Sequence, residues 1–216
     1  MFHTICMNPS TTQAVAARPE RRSHVARCVG LAFAAALAAV ALGLALGGDA
    51  SERWQLATRF TARVSFPIFL LAFTASSLGR LFPSELTRGL VRVRRGLGLG
   101  FALAHTIHLG ALVTLFAVSG QRPNLVTVVG GGLTYLFIFG MAATSNDAAV
   151  KRLGRNWSRL HTTGAYLVWL IFLQSYAGRV AAGKYFFAPQ VILAVSAGAL
   201  RFAAHRRRRS VTLRAK

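Results

Sequence analysis

The chain has 216 residues, 54% of them hydrophobic and only 14% charged. A soluble domain carries about 25% charged residues, so the deficit excludes an ordinary water-soluble fold and points to lipid. Lys and Arg number 26 against five acids, a formal charge of +21. These cations stand in the gaps between long apolar runs rather than on a folded polar surface, which argues for a membrane protein with basic loops and against a nucleic-acid binder.

Residues 1–27 form a polar, basic leader with Arg18, Arg21, Arg22 and Arg27, expected to lack regular structure. Cys28–Gly47 is a run of 20 uncharged residues. It exceeds the apolar stretch of a signal peptide, and more spans follow, so it reads as a retained transmembrane helix. Five further charge-free intervals come in order: Val64–Gly79, Gly96–Gln121, Pro123–Asn146, Leu160–Gly178 and Tyr185–Leu200. A bilayer core of about 30 Å needs roughly 20 residues of helix. The second and sixth intervals hold 16 residues each, so their flanking arginines must snorkel to the headgroups. Pro67 is expected in the first turn of the second helix. Gly130, Gly131 and Gly132 are expected to allow close helix packing.

The expected fold is therefore an all-α bundle of six transmembrane helices over residues 28–203. With the N-terminus inside, the cytoplasmic segments hold four, five, four and seven Lys/Arg, and the opposite segments three, one and two. That is 20 against 6, so both termini are expected in the cytoplasm of a bacterial inner membrane. Residues 204–216 form a basic cytoplasmic tail in which Arg206–Arg209 suit anionic lipid. Cys6 and Cys28 have no metal-thiolate spacing. No Walker loop, Rossmann fingerprint or soluble catalytic domain is present, so chemistry must sit within the bundle or at its rims.

Ionisable residues at membrane depth are functional candidates because burying them is costly. They are His105 and His108 in the third span and His161 at the start of the fifth. The nearest acid, Asp147, closes the fourth span. The lack of carboxylates within the spans argues against a proton-coupled transporter. Histidines on facing helices hold haem b in membrane bundles. The same residues equally suit hydrogen bonds that stabilise helix packing.

Three blocks narrow the choice: Arg94-Arg95-x-Leu97-Gly98-Leu99, with His108 thirteen residues after Arg95; Thr144-Ser145-x-Asp147; and Leu153-Gly154-x-x-Trp157-x-x-Leu160-His161. In order and spacing they resemble the ferric-reductase-like transmembrane domain, in particular the haem-binding membrane subunit of the bacterial periplasmic methionine sulfoxide reductase system. The resemblance covers about residues 59–178, including Arg59-Phe60-Thr61-Ala62-Arg63. It implies a haem b electron-transfer subunit, with no substrate chemistry of its own, between a cytoplasmic or quinone donor and a periplasmic partner protein. His108 and His161 match the family's iron ligands. A second histidine is expected thirteen residues after His161, where this chain has Gln174. Arg155 and Arg159 would then meet haem propionates or a flavin phosphate, although positive-inside charge explains them equally well.

If Arg95 and Arg159 mark one level, His108 lies about 20 Å into the bilayer, position 174 about 22 Å and His161 about 3 Å. On that reckoning His108 and Gln174 are expected to face each other across one haem plane. His105 and His108, three residues apart on one helix face, cannot take opposite sides of one iron. Three outcomes stay open: a five-coordinate haem on His108 with Gln174 near an exogenous ligand or water, a shifted bundle in which His105 or His108 meets His161, or a haem-free scaffold or interaction protein that retains the fold.

Overall fold

Backbone groups in lipid must be paired within helices or closed barrels, and among the described residues the fold is all-α. The computed structural model describes the backbone of residues 9–214 and the side chains of 23–207 other than Val126. Residues 1–8 of the basic leader and the last two of the tail lie outside the described residues. The helices are α1 (Pro9–Leu46), α2 (Ala50–Leu81), α3 (Glu85–Ser119), α4 (Leu125–Ala143), α5 (Asp147–Leu153), α6 (Arg155–Ala181) and α7 (Ala188–Arg214). A 3-10 turn at Tyr185–Phe187 precedes α7.

Short polar residues punctuate the chain where the apolar runs change direction. Asp49, Ser84, Asn124 and Asn146 each accept a backbone N–H three residues on, capping α2, α3, α4 and α5. Ser84 and Thr87 close a reciprocal capping box. Gly120 ends α3 at a φ of 66°, a left-handed conformation that glycine adopts without strain.

Four helical segments are long and apolar enough to cross a membrane: Ser23–Leu46, Ala50–Leu81, Glu85–Ser119 and Tyr185–Arg207. Thr127–Ala143 and Asp147–Leu153 form a fifth candidate, bent by 107° at the break between them. The chain is thus a multi-pass membrane protein with four or five apolar spanning elements. α6 has the length, 27 residues, and its apolar character is diluted by His161, Thr162, Thr163, Gln174 and Ser175.

Two expectations change at α2. The helix starts at Ala50, so Arg53, Arg59 and Arg63 belong to it rather than to a loop, and Pro67 lies in its interior. Arg63 suits this place because its guanidinium packs over the rings of Phe60, Phe186 and Phe187 at 5.4–5.8 Å. The closest helix approaches also differ from expectation. A Cβ on Gly131 or Gly132 would meet nothing within 4 Å, whereas one on Gly43 would fall 2.2 Å from the Ala57 nitrogen. Gly96 and Gly100 likewise receive Cys28 and Ala32. Small residues there draw α1, α2 and α3 into one tight unit.

α6 packs against α4 and α7, and α7 returns to α2. α2, α3 and α6 meet at a layer of rings: Phe66, Phe69, Phe101, Phe172 and Tyr176 are all buried and joined by ring contacts. This layer is the core of the bundle and the floor of the site.

Candidate cofactor site

His105 and His108 stand on the inward face of α3, their rings 4.9 Å apart and tilted by 27°. His105 is buried and stacks also on Phe101 at 5.1 Å and on Tyr135 of α4 at 5.2 Å. Tyr135 donates its hydroxyl to the His105 carbonyl. The His105 Nδ1 is buried without a hydrogen-bond partner. His108 is half-buried, and its Nδ1 lies 3.0 Å from Thr61 Oγ1 on α2. Its Nε2 has no hydrogen bond among the described residues.

His161 sits one level away, in the wall of a cavity of about 330 Å³. This size is at the small end for small-molecule sites. Phe69, Phe73 and Phe101 form its apolar side; Arg94, Arg95 and Arg201 bring the charge. Arg94 donates to Ala72 O and Ser76 Oγ, and Arg201 donates to Phe73 O. Arg201 also lies 4.2 Å over the Phe73 ring and 4.7 Å over that of Tyr166. These two guanidiniums are held by neutral partners, and Arg95 bonds Asp147 at 2.9 Å. The surplus of positive charge suits a ligand with anionic or carbonyl oxygens. Trp157 stacks on His161 at 4.1 Å and donates to Thr144 O; Thr144 Oγ1 lies 3.0 Å from His161 Nε2.

The structure brings His161 together with the Arg94–Arg95 pair, as the depth reckoning requires, and keeps His105 and His108 apart from it. It does not bring Gln174 to His108. Val168, Phe172 and Tyr176 are the buried face of α6, and Gln174 is exposed. The expectation that positions 108 and 174 face each other is therefore corrected: residue 174 lies about 200° around the helix from residue 172. Arg155 and Arg159 are exposed and outside the cavity lining, which Arg94, Arg95 and Arg201 supply instead. Charge counting had treated all these arginines alike as boundary residues. Thr61 and Thr144 carried no signal of their own, although both fall inside sequence blocks that support the family resemblance.

Among the described residues no cluster of three His, Cys, Asp or Glu side chains is placed to hold a bare metal ion. Haem needs only one or two axial donors besides its own nitrogens. The free Nε2 of His108 suits haem iron approached from one side, and the orphaned Nδ1 of His105 marks the same place as unsatisfied polar ground. α6 offers no second histidine there: its buried face is Val168, Phe172 and Tyr176, and Phe172 packs on His105 at 5.5 Å.

Together these features define a class: a multi-pass membrane bundle with histidines at two levels and a basic cavity at one end. Comparison with known proteins shows what the chain is similar to. The chain is 30% identical over 109 residues to the protein-methionine-sulfoxide reductase heme-binding subunit MsrQ of Cronobacter sakazakii, covering 47% of this chain and 53% of that protein. It is 32% identical over 119 residues to that of Klebsiella pneumoniae, with 50% and 56% covered. It is 30% identical over 132 residues to that of Salmonella paratyphi B, with 56% and 63% covered. The chain spans a little over half the length of these relatives. No family model matches, and no solved structure matches. These matches bear out the resemblance read from the sequence: over about half its length the chain is similar to such haem-binding subunits. With the spanning helices, they place it in a bacterial inner membrane.

Proposed function

We propose that this chain is the electron-transfer subunit of an inner-membrane oxidoreductase, with haem b held by His108. Six helices cross the bilayer in this reading, α4 and α6 included, with both termini in the cytoplasm. A cytoplasmic or quinone donor acts at the cavity around His161, and a separate periplasmic protein takes the electrons from the far rim. The relatives are named as haem-binding subunits of a protein-methionine-sulfoxide reductase, which makes an oxidoreductase of that kind the partner of first choice.

One observation carries the reading. The two histidine levels are joined by unbroken ring contacts, His108–His105–Phe101–Phe69–Phe73, with successive centroids 4.9, 5.1, 5.2 and 5.2 Å apart. The last three rings line the cavity that contains His161. A bundle that merely filled space would have no need of ionisable rings at the head of such a column.

Haem, when bound, supplies a one-electron couple. The residues of this chain do the rest. His108 directs a nitrogen lone pair inward, Phe172 and Tyr176 keep water from its level, and the column gives close-packed contact toward the cavity. Arg94, Arg95 and Arg201 stabilise anionic oxygens there, which suits a flavin or a quinone as second redox group.

The lack of a histidine on the buried face of α6, with Gln174 exposed, favours a second reading, a haem-free scaffold or interaction protein. Purified protein supplied with haem separates the two by its oxidised and dithionite-reduced spectra. The proposed function requires a Soret band and a reduced alpha band that His108→Ala abolishes and His161→Ala retains. A well-folded, haem-supplied protein without a Soret band leaves the scaffold reading in possession.

A further inference from the structure

Two threonine hydroxyls, on different helices, meet the two histidine levels in the same way but at opposite ring nitrogens. Thr61 Oγ1 lies 2.8 Å from the Ala57 carbonyl oxygen, four residues back on its own helix, and 3.0 Å from His108 Nδ1. Oxygens this close attract only with a proton between them, and a carbonyl brings none. The Thr58 carbonyl oxygen lies 3.1 Å from the same hydroxyl, so the single proton of Thr61 points back along its own helix, to Ala57 or Thr58. Toward His108 the same oxygen has only lone pairs, so it accepts, and the imidazole proton sits on Nδ1. Nε2 is left bare.

Thr144 repeats the construction at the C-cap of α4. Its Oγ1 donates to the Gly140 carbonyl at 2.7 Å and faces His161 Nε2 at 3.0 Å. Here the imidazole proton is on Nε2, and Nδ1 is the bare nitrogen. Trp157 covers one face of that ring at 4.1 Å.

We propose that Thr61 and Thr144 set the two histidines in opposite tautomers, so that His108 alone offers Nε2 to haem iron while His161 serves the cavity as a hydrogen-bond acceptor. Nδ1 lies next to its own backbone, where a porphyrin has little room; Nε2, at the far edge of the ring, is the nitrogen a porphyrin can reach. A ligating histidine commonly has its other nitrogen fixed by a hydrogen bond. Thr61 is accordingly a positioning residue for the iron ligand, and His161, though it matches a family iron ligand by sequence, is turned to another use. This inference rests on the functional reading given above.

The tautomers are measurable without haem. In the full-length protein with 15N-labelled histidine in detergent, His108 is expected to carry its proton on Nδ1 and His161 on Nε2. Thr61→Val removes the acceptor and should convert His108 to a tautomeric mixture, with haem affinity falling about 10–100-fold. Thr61→Ser, which keeps the hydroxyl, restores both readouts. Thr144→Val should alter the nitrogen signals of His161 alone and leave the haem titration unchanged. A wild-type His108 protonated on Nε2 overturns the proposal, as does loss of the haem spectrum in His161→Ala with its retention in His108→Ala. Should Thr61→Val fail to fold, the wild-type and Thr61→Ser spectra still decide the tautomers. Failure of the wild type to bind haem would remove the functional reading, while the nitrogen spectra would still decide the histidine assignment.

Discussion

Thirteen residues separate His161 from Gln174, and on a regular helix that is about 1300° of rotation, three turns and about 220° more. The two positions therefore cannot share a face of α6, which is α-helical throughout Arg155–Ala181. Level along the bundle was legible from the sequence because arginines mark the ends of the apolar runs: His161 lines one cavity with Arg94 and Arg95, and His108 does not. Azimuth was not, because it depends on which face of α6 is buried, and the buried face proves to be Val168, Phe172 and Tyr176. A restored histidine at the family position should thus be idle. Gln174→His is expected to leave the spectrum of haem-supplied protein in the state of the unsubstituted chain. Conversion from a high-spin to a low-spin spectrum would show that position 174 reaches the iron. The same distinction explains why Arg201 escaped notice. As a boundary cation it looked like any other, and only packing beside Phe73 and Tyr166 turns it into the cavity.

At the scale of elements, the tight unit of α1, α2 and α3 rests on absent side chains. Gly43 is the tightest point, since a Cβ there would fall 2.2 Å from the nitrogen and 2.4 Å from the Cα of Ala57. Those are backbone atoms of α2 and have no rotamer in which to retreat. Ala57 in turn accepts the Thr61 hydroxyl, so pressure at Gly43 reaches the partner of His108 within one helical turn. Overpacking a well-filled interior costs about 1–3 kcal/mol, occasionally more, and a backbone clash belongs to the upper end. Gly43→Val is expected to lower the thermal midpoint in detergent clearly, whereas Gly131→Ala, facing open space, should leave it nearly unchanged. Equal midpoints for the two variants would contradict the close α1–α2 approach. The sequence pointed to the wrong glycines because a triplet is conspicuous in a row of letters. Close contact is set by which residue lies at a helix crossing, and Gly43 stands among alanines and leucines with nothing to distinguish it.

For the whole molecule, the ratio of 20 inside cations to 6 outside, counted on six spans, is a statement about topology that the bend between α4 and α5 puts at risk. If Thr127–Ala143 turned back at that break, its two ends would emerge on one side, and α6 would not need to cross. If α4 and α6 both cross, the loop at Gln121 and the turn at Lys184 lie in the periplasm, while the α5 segment at Lys151 lies in the cytoplasm. Three single cysteines separate these cases. In a background with Cys6→Ser and Cys28→Ser, Gln121→Cys and Lys184→Cys are expected to react in intact cells with a maleimide that reaches the periplasm and cannot cross the inner membrane. Lys151→Cys should react only after the inner membrane is opened. Labelling of Lys151→Cys in intact cells would make α4 re-entrant. That holds when Gln121→Cys is labelled as well; if Gln121→Cys is protected, α3 is inverted instead, and the cavity with Arg94, Arg95 and Arg201 lies on the wrong side for a cytoplasmic donor. The positions at Gln121 and Lys184 decide that point, because an inverted α3 would hide Gln121→Cys from the outside reagent. The electron-transfer direction proposed for this chain therefore stands on the side from which residue 151 can be reached.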